Sequence, residues 1–100
     1  MKKLWFLLLV SSSCLAAEPS AQRQSELKQM LKSTCAGCHG AALQGGMGLP
    51  LQPKDLAQKS DEMLIETITN GRKGTAMPPW KTMMSADEIA WLVHFLKNPS

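Results

Sequence analysis

Across 100 residues there is no tyrosine, and phenylalanine and tryptophan together make up only 5%. Two of these five aromatics, Trp5 and Phe6, fall in the first ten residues, so Trp80, Trp91 and Phe95 are the large aromatic side chains left for a domain core. A chain this short buries little surface on its own. Long apolar stretches are also lacking. The longest, Leu4 to Val10, falls well short of the roughly 20 residues that cross a bilayer as a helix, which excludes a polytopic membrane protein. Charge of one sign is scarce as well. Eleven Lys and Arg stand against eight Asp and Glu, and the basic residues are scattered. A phosphate-binding protein needs a basic stripe, so no nucleic acid partner is expected. Three cysteines are too few for a disulfide scaffold.

What is present begins with a leader-like segment. Met1-Lys2-Lys3 is a positive start, Leu4 to Val10 is an apolar stretch, and Cys14-Leu15-Ala16 fits the small-x-small cleavage pattern. Residues 1–16 are read as a secretory signal peptide, cleaved after Ala16 or Ala17, with residues 17–100 as one domain. Loss of Lys2 and Lys3 brings the formal charge from +3 to +1. The domain is expected to work outside the cytoplasm. Cys14 is the second possible processing site, and a membrane attachment would follow only from its lipidation.

The remaining chain reads as all-α, with no repeats and no strand-like alternation. Leu27, Met30, Leu31 and Thr34 recur at helical spacing, which predicts a helix from Ala21 to about Cys38 with these four inward. Glycines and prolines from Gly40 to Pro53 predict a compact loop. One helical turn is expected over Asp55 to Gln58. Ser60 is suited to N-cap a helix over Asp61 to Asn70, with Met63, Leu64, Thr67 and Ile68 inward and Gly71 ending it. A second loop spans Gly71 to Met84. Ser85 and Glu88 form a capping box, and Met84 with Ile89 a hydrophobic staple, for a last helix ending near Lys97. Such long loops are uncommon in a small domain unless they serve a function.

The chemistry sits in Cys35-Ala36-Gly37-Cys38-His39. This is the haem c attachment pattern. Two thioethers at this spacing hold one porphyrin edge, and the next residue lies under the iron with an imidazole nitrogen as ligand. A disulfide, a redox-active pair or half of a zinc site are the competing readings of two cysteines. Only His94 remains as a further zinc ligand of the usual kind. A covalent haem also supplies the apolar body that this core lacks.

A second axial ligand has seven candidates: Met30, Met47, Met63, Met77, Met83, Met84 and His94. Met77 is favoured because it lies in Gly71-Arg72-Lys73-Gly74-Thr75-Ala76-Met77-Pro78-Pro79-Trp80. Glycine allows close backbone approach, and the prolines stiffen the strap. Met63 is read as core, Met84 as the staple, and His94 as a surface residue. An iron with both axial sites filled binds no small-molecule substrate, which points to electron transfer rather than to an enzyme. Arg72 and Trp80, with Lys73 as a weaker candidate, are suited to contact the haem propionates. Met47 and Leu49 are candidates for the apolar part of a docking edge.

On these residues the chain resembles class I cytochrome c over the whole of residues 17–100. The attachment motif, the Met77-Pro78 strap and the closing helix around Trp91 to Lys97 follow in that family's order. The resemblance implies that Phe95 packs on the N-terminal helix and that Leu92 and Leu96 face the haem. Cys38-His39-Gly40, Leu43-x-Gly45-Gly46 and Gly71-Arg72-x-Gly74-Thr75-Ala76-Met77-Pro78-Pro79-Trp80 are similar to a periplasmic subgroup encoded beside dissimilatory haem-containing nitrite reductase. That implies a carrier donating electrons to the reductase, with a role in maturing its d-type haem, or service to another oxidase, as alternatives. Two departures from the family stand out. Leu27 replaces a common glycine where the terminal helices cross, which predicts a wider or shifted crossing. Gly48-Leu49-Pro50-Leu51 replaces the usual Gly-Pro-x-Leu, so the carbonyl that accepts from the axial His39 is that of Leu49 or of Pro50.

Overall fold

In the computed structural model, described for residues 18–99, helices and loops make up the whole of that span. The leader, its cleavage site and Cys14 lie outside the described residues. Helix α1 runs Ala21–Met30, continues through a π-helical turn at Leu31–Cys35, and ends as α2, Ala36–His39. Short α3 covers Pro53–Leu56, α4 covers Asp61–Asn70 and α5 covers Ala86–Lys97.

Local chemistry sets most of these boundaries. The Ser20, Ser60 and Ser85 hydroxyls accept from the backbone N–H groups of Arg23, Met63 and Glu88. Glu88 completes the capping box by accepting from the Ser85 N–H at 3.0 Å. Helix α3 starts two residues earlier than the sequence suggests. Pro53 occupies its first turn, where no N–H is needed, and Asp55 accepts from the Gln52 N–H at 3.1 Å.

The π turn is the element that the sequence pattern missed. A straight helix would bring Thr34 onto the face of Leu27 and Leu31. The wider turn rotates it off, so Thr34 is exposed while Cys35 packs against the core. The Ser33 hydroxyl donates to the Gln29 carbonyl at 3.0 Å within this stretch, a bond that competes with regular helix.

The core is small. Leu27, Leu31, Leu56, Met84, Ile89, Leu92 and Leu96 form one buried cluster. Met84 and Ile89 take the staple positions as expected. Met63 does not join the core: it is 46% exposed, because α4 turns Leu64, Ile65 and Ile68 inward instead. Leu27, at the position where the terminal helices are expected to cross, is fully buried in this cluster. Trp91 stacks on Phe95 with centroids 5.4 Å apart. The Lys28 ammonium lies 5.1 Å from the Phe95 ring centre, which sets Phe95 beside α1 as the resemblance implies.

Two polar clamps close the fold. Arg23 on α1 makes a two-pronged contact with Glu88 on α5 at 3.0 and 3.2 Å and donates to the Met83 carbonyl at 3.1 Å. Lys97 bridges the Asp61 carboxylate and donates to the Lys59 carbonyl, tying the end of α5 to the start of α4.

Candidate haem site

The five-residue motif straddles the last π-helical residue and α2, so one helical end presents Cys35, Cys38 and His39, all half-buried. Both thiols are free. Burial pushes the Cys35 thiol above its ordinary range, with a smaller effect from Cys38. Thiol–disulfide chemistry runs through the thiolate, so this environment disfavours a redox-active pair. Among the described residues no three His, Cys, Asp or Glu side chains gather where they could hold a metal ion, which weakens the zinc reading. His94 is exposed, as expected.

The loop after the motif folds back onto the motif's own backbone. Gly45 N–H donates to the His39 carbonyl at 2.8 Å, Gly48 N–H to the Cys38 carbonyl at 2.7 Å, and Leu43 N–H to the Gly40 carbonyl at 2.8 Å. These bonds serve the carbonyls left open at a helix end. Gly40, at φ +99°, makes the turn out of α2: a β-carbon there would lie 2.7 Å from the Gly45 carbonyl oxygen.

His39 Nδ1 lies 2.7 Å from the Leu49 carbonyl oxygen. A carbonyl can only accept, so Nδ1 carries the proton of this bond and Nε2 is left as the nitrogen that can bind a metal. Leu49, not Pro50, is therefore the acceptor. The donor set fits a haem: an imidazole fixed through Nδ1, two thiols at attachment spacing, and half-buried apolar side chains such as Leu43, Leu51, Leu64, Ile68 and Trp80 around a thin core.

The second loop holds Met77. Gly71 ends α4 at φ +72°, and a β-carbon there would meet the Met77 carbonyl oxygen at 2.6 Å. Arg72 N–H donates to that carbonyl at 3.1 Å, and Thr75 N–H to the Arg72 carbonyl at 3.0 Å. The Thr75 hydroxyl accepts from the Met77 N–H at 3.2 Å. Trp80 N–H then reaches back to the Ile68 carbonyl at 3.0 Å, anchoring the far end of the strap on α4. Met77 is half-buried, whereas Met47 and Met83 are 81% and 58% exposed. Arg72 and Lys73 are exposed on the strap, and Trp80 is half-buried against the core.

A groove of about 460 Å³ opens between the first loop and the end of α5, lined by Leu43, Leu51, Phe95 and Leu96 among others. Another of about 570 Å³ follows the strap from Asn70 to Pro79.

Residues 22–96 match the family described as cytochrome c oxidase, cbb3-type, subunit III. The chain belongs to the cytochrome c family. This cytochrome is 42% identical to cytochrome c55X of Pseudomonas aeruginosa, with 90% of this chain and 80% of that one covered. It is 36% identical to cytochrome c55X of Paracoccus denitrificans, over 90% and 87% of the two chains. Among solved structures it is similar to the c-type cytochrome NirC, at 44% identity and a TM-score of 0.77, covering 79% of this chain and 93% of that one. It is also similar to part of the dihydro-heme d1 dehydrogenase NirN in complex with DHE. That likeness has 27% identity and a TM-score of 0.65, over 73% of this chain and 16% of that one.

The cytochrome carries a covalently bound haem c and is a monohaem electron carrier, not an enzyme. Among the described residues no helix is long and apolar enough to cross a membrane. Sequence reasoning missed Arg23, which ties α1 to the segment after the strap. Its partner Glu88 is 65 positions away, and no local pattern signals such a pair.

Proposed function

We propose that this cytochrome is a periplasmic electron donor to dissimilatory nitrite reductase. Cys35 and Cys38 form the two thioethers, His39 Nε2 and the Met77 sulfur are the axial ligands, and Arg72 and Trp80 neighbour the propionates. The observation that carries the His39 assignment is its Nδ1–H bond to the Leu49 carbonyl, which leaves Nε2 as the nitrogen that can bind iron. When bound, the haem takes up and releases one electron at its iron. The chain's own residues hold the imidazole proton at Nδ1; His39 and Met77 would be the two iron ligands, and Leu43, Leu51 and Leu96 would cover the porphyrin. A haem held by two protein ligands would exchange an electron without making or breaking a bond to its partner, which suits brief encounters between carriers and reductases.

The nitrite reductase partner is supported by the strap and loop motifs and by the likeness to NirC. The periplasmic location follows from the leader-like residues 1–16, with membrane attachment only through Cys14. A second reading, an accessory redox role in maturing the d-type haem, is favoured by the likeness to a domain of dihydro-heme d1 dehydrogenase.

The test is anaerobic mixing of the reduced cytochrome with nitrite, with and without purified nitrite reductase, while haem oxidation is followed. Fast oxidation only with the reductase present is the expected result. Absent oxidation beside an active reductase sinks the donor role and favours haem maturation or another oxidase.

A further inference from the structure

We infer that Gly48 and Pro50 are positioning residues that clamp the plane of the His39 imidazole from two sides. The first arm is steric. A β-carbon added at Gly48 would lie 2.7 Å from His39 Cε1 and 2.8 Å from Nδ1, inside any real contact distance. The glycine backbone is therefore packed directly against the ring. It is held there from both ends: Gly48 N–H donates to the Cys38 carbonyl at 2.7 Å, and its own carbonyl accepts from Gly46 N–H at 3.0 Å.

The second arm is conformational. Leu49 supplies the carbonyl that receives the Nδ1 proton at 2.7 Å. A residue before proline is barred from the helical region and kept extended, so Pro50 restricts the direction of that carbonyl. The Pro50 ring is itself backed by Gly45, where a β-carbon would lie 3.5 Å from Pro50 Cδ. Leu51 N–H closes the loop on the Leu43 carbonyl at 2.8 Å. The ring thus meets backbone on its flank and a fixed acceptor at Nδ1, and neither contact needs the porphyrin.

The inference rests on His39 as an axial ligand, and the test separates the two ideas. Nuclear magnetic resonance of the loaded oxidised protein reports both. His39 ring protons strongly shifted by the iron support ligation, and unshifted ones overturn it together with the clamp. The haem methyl shifts then report the orientation of the imidazole plane. Gly48→Ala is expected to redistribute those methyl shifts. Pro50→Ala is expected to leave the flank intact but raise the exchange rate of the Nδ1 proton in the reduced protein about tenfold, as expected for a loosened hydrogen bond. Its reduction potential should rise, since a less basic imidazole stabilises ferric iron less. Gln58→Ala, exposed and outside both loops, serves as the control with parent-like shifts and potential. Iron-shifted His39 with parent-like proton exchange and potential in Pro50→Ala overturns the clamp, whether or not Gly48→Ala accumulates.

Discussion

The two loops that present His39 and Met77 are built on different plans. Residues 40–51 bond to the carbonyls of the attachment motif itself, through Gly45 and Gly48, and Leu43 closes on Gly40 just beyond it. The strap from Gly71 to Pro79 bonds mainly to itself, through Arg72, Thr75 and the Met77 carbonyl, and is anchored on α4 at its two ends, by Gly71 on one side and by Trp80 and Lys81 on the other. The histidine is therefore part of the helix end it sits on, whereas the methionine hangs from a loop fixed at its two ends. Such asymmetry makes the methionine side the first to yield, since openings of lowest free energy run through segments with few outside contacts.

The sharpest test is Met77→Ala. It should keep the haem covalently attached, open one axial position to cyanide at neutral pH, and lower the potential by a sizeable part of the roughly 0.8 V that axial ligands span. Visible spectra and potentiometry check this; an iron that stays six-coordinate and closed to cyanide would identify another methionine as ligand.

Leu27→Ala tests what the two loops share. Leu27 is fully buried in the common core, and its truncation should cost about 2–5 kcal/mol in denaturant unfolding. Both loops should lose stability together; release of the methionine side alone would mean that the core does not support the two equally.

Gly71→Ala acts on the strap only. The residue combines φ +72° with ψ −172°, backbone that side chains rarely adopt, and an alanine there should cost about 1–3 kcal/mol. Cyanide should displace Met77 more readily, with the His39 signals unchanged.

The smallest effect comes with acid. Hydrogen bonds from Arg23 and, next, the Ser85 backbone hold the Glu88 carboxyl below its ordinary value. A carboxylate with a lowered folded value stabilises the fold above its unfolded value of about 4.3, and that contribution is lost as pH falls through the folded value. Arg23 also donates to the Met83 carbonyl, and Met83 N–H donates to the Trp80 carbonyl. Acid below about pH 4.3 should therefore loosen the methionine side first. Glu88→Gln should flatten this pH dependence, read as the pH at which the iron–methionine absorption disappears.

The helix ends were legible because their signals are local. Ser60, Ser85 and Glu88 act within three residues of where they stand, and the Cys35-x-x-Cys38-His39 spacing is a covalent requirement. Thr34 and Met63 were misread for one reason: helical spacing alone does not say how a helix rotates. A π turn carried Thr34 outward, and the packing of Leu64, Ile65 and Ile68 left Met63 exposed.

The sequence by itself determined the helical class, the helix caps and the haem attachment motif, since each depends on near neighbours or on a fixed chemical spacing. Only the tertiary structure decided that Leu49 rather than Pro50 accepts the His39 proton, that Gly48 packs on the ring, and that Arg23 reaches Glu88. Those contacts join positions between nine and 65 residues apart. Their distances follow from how loops close over a packed core, and no local preference encodes that.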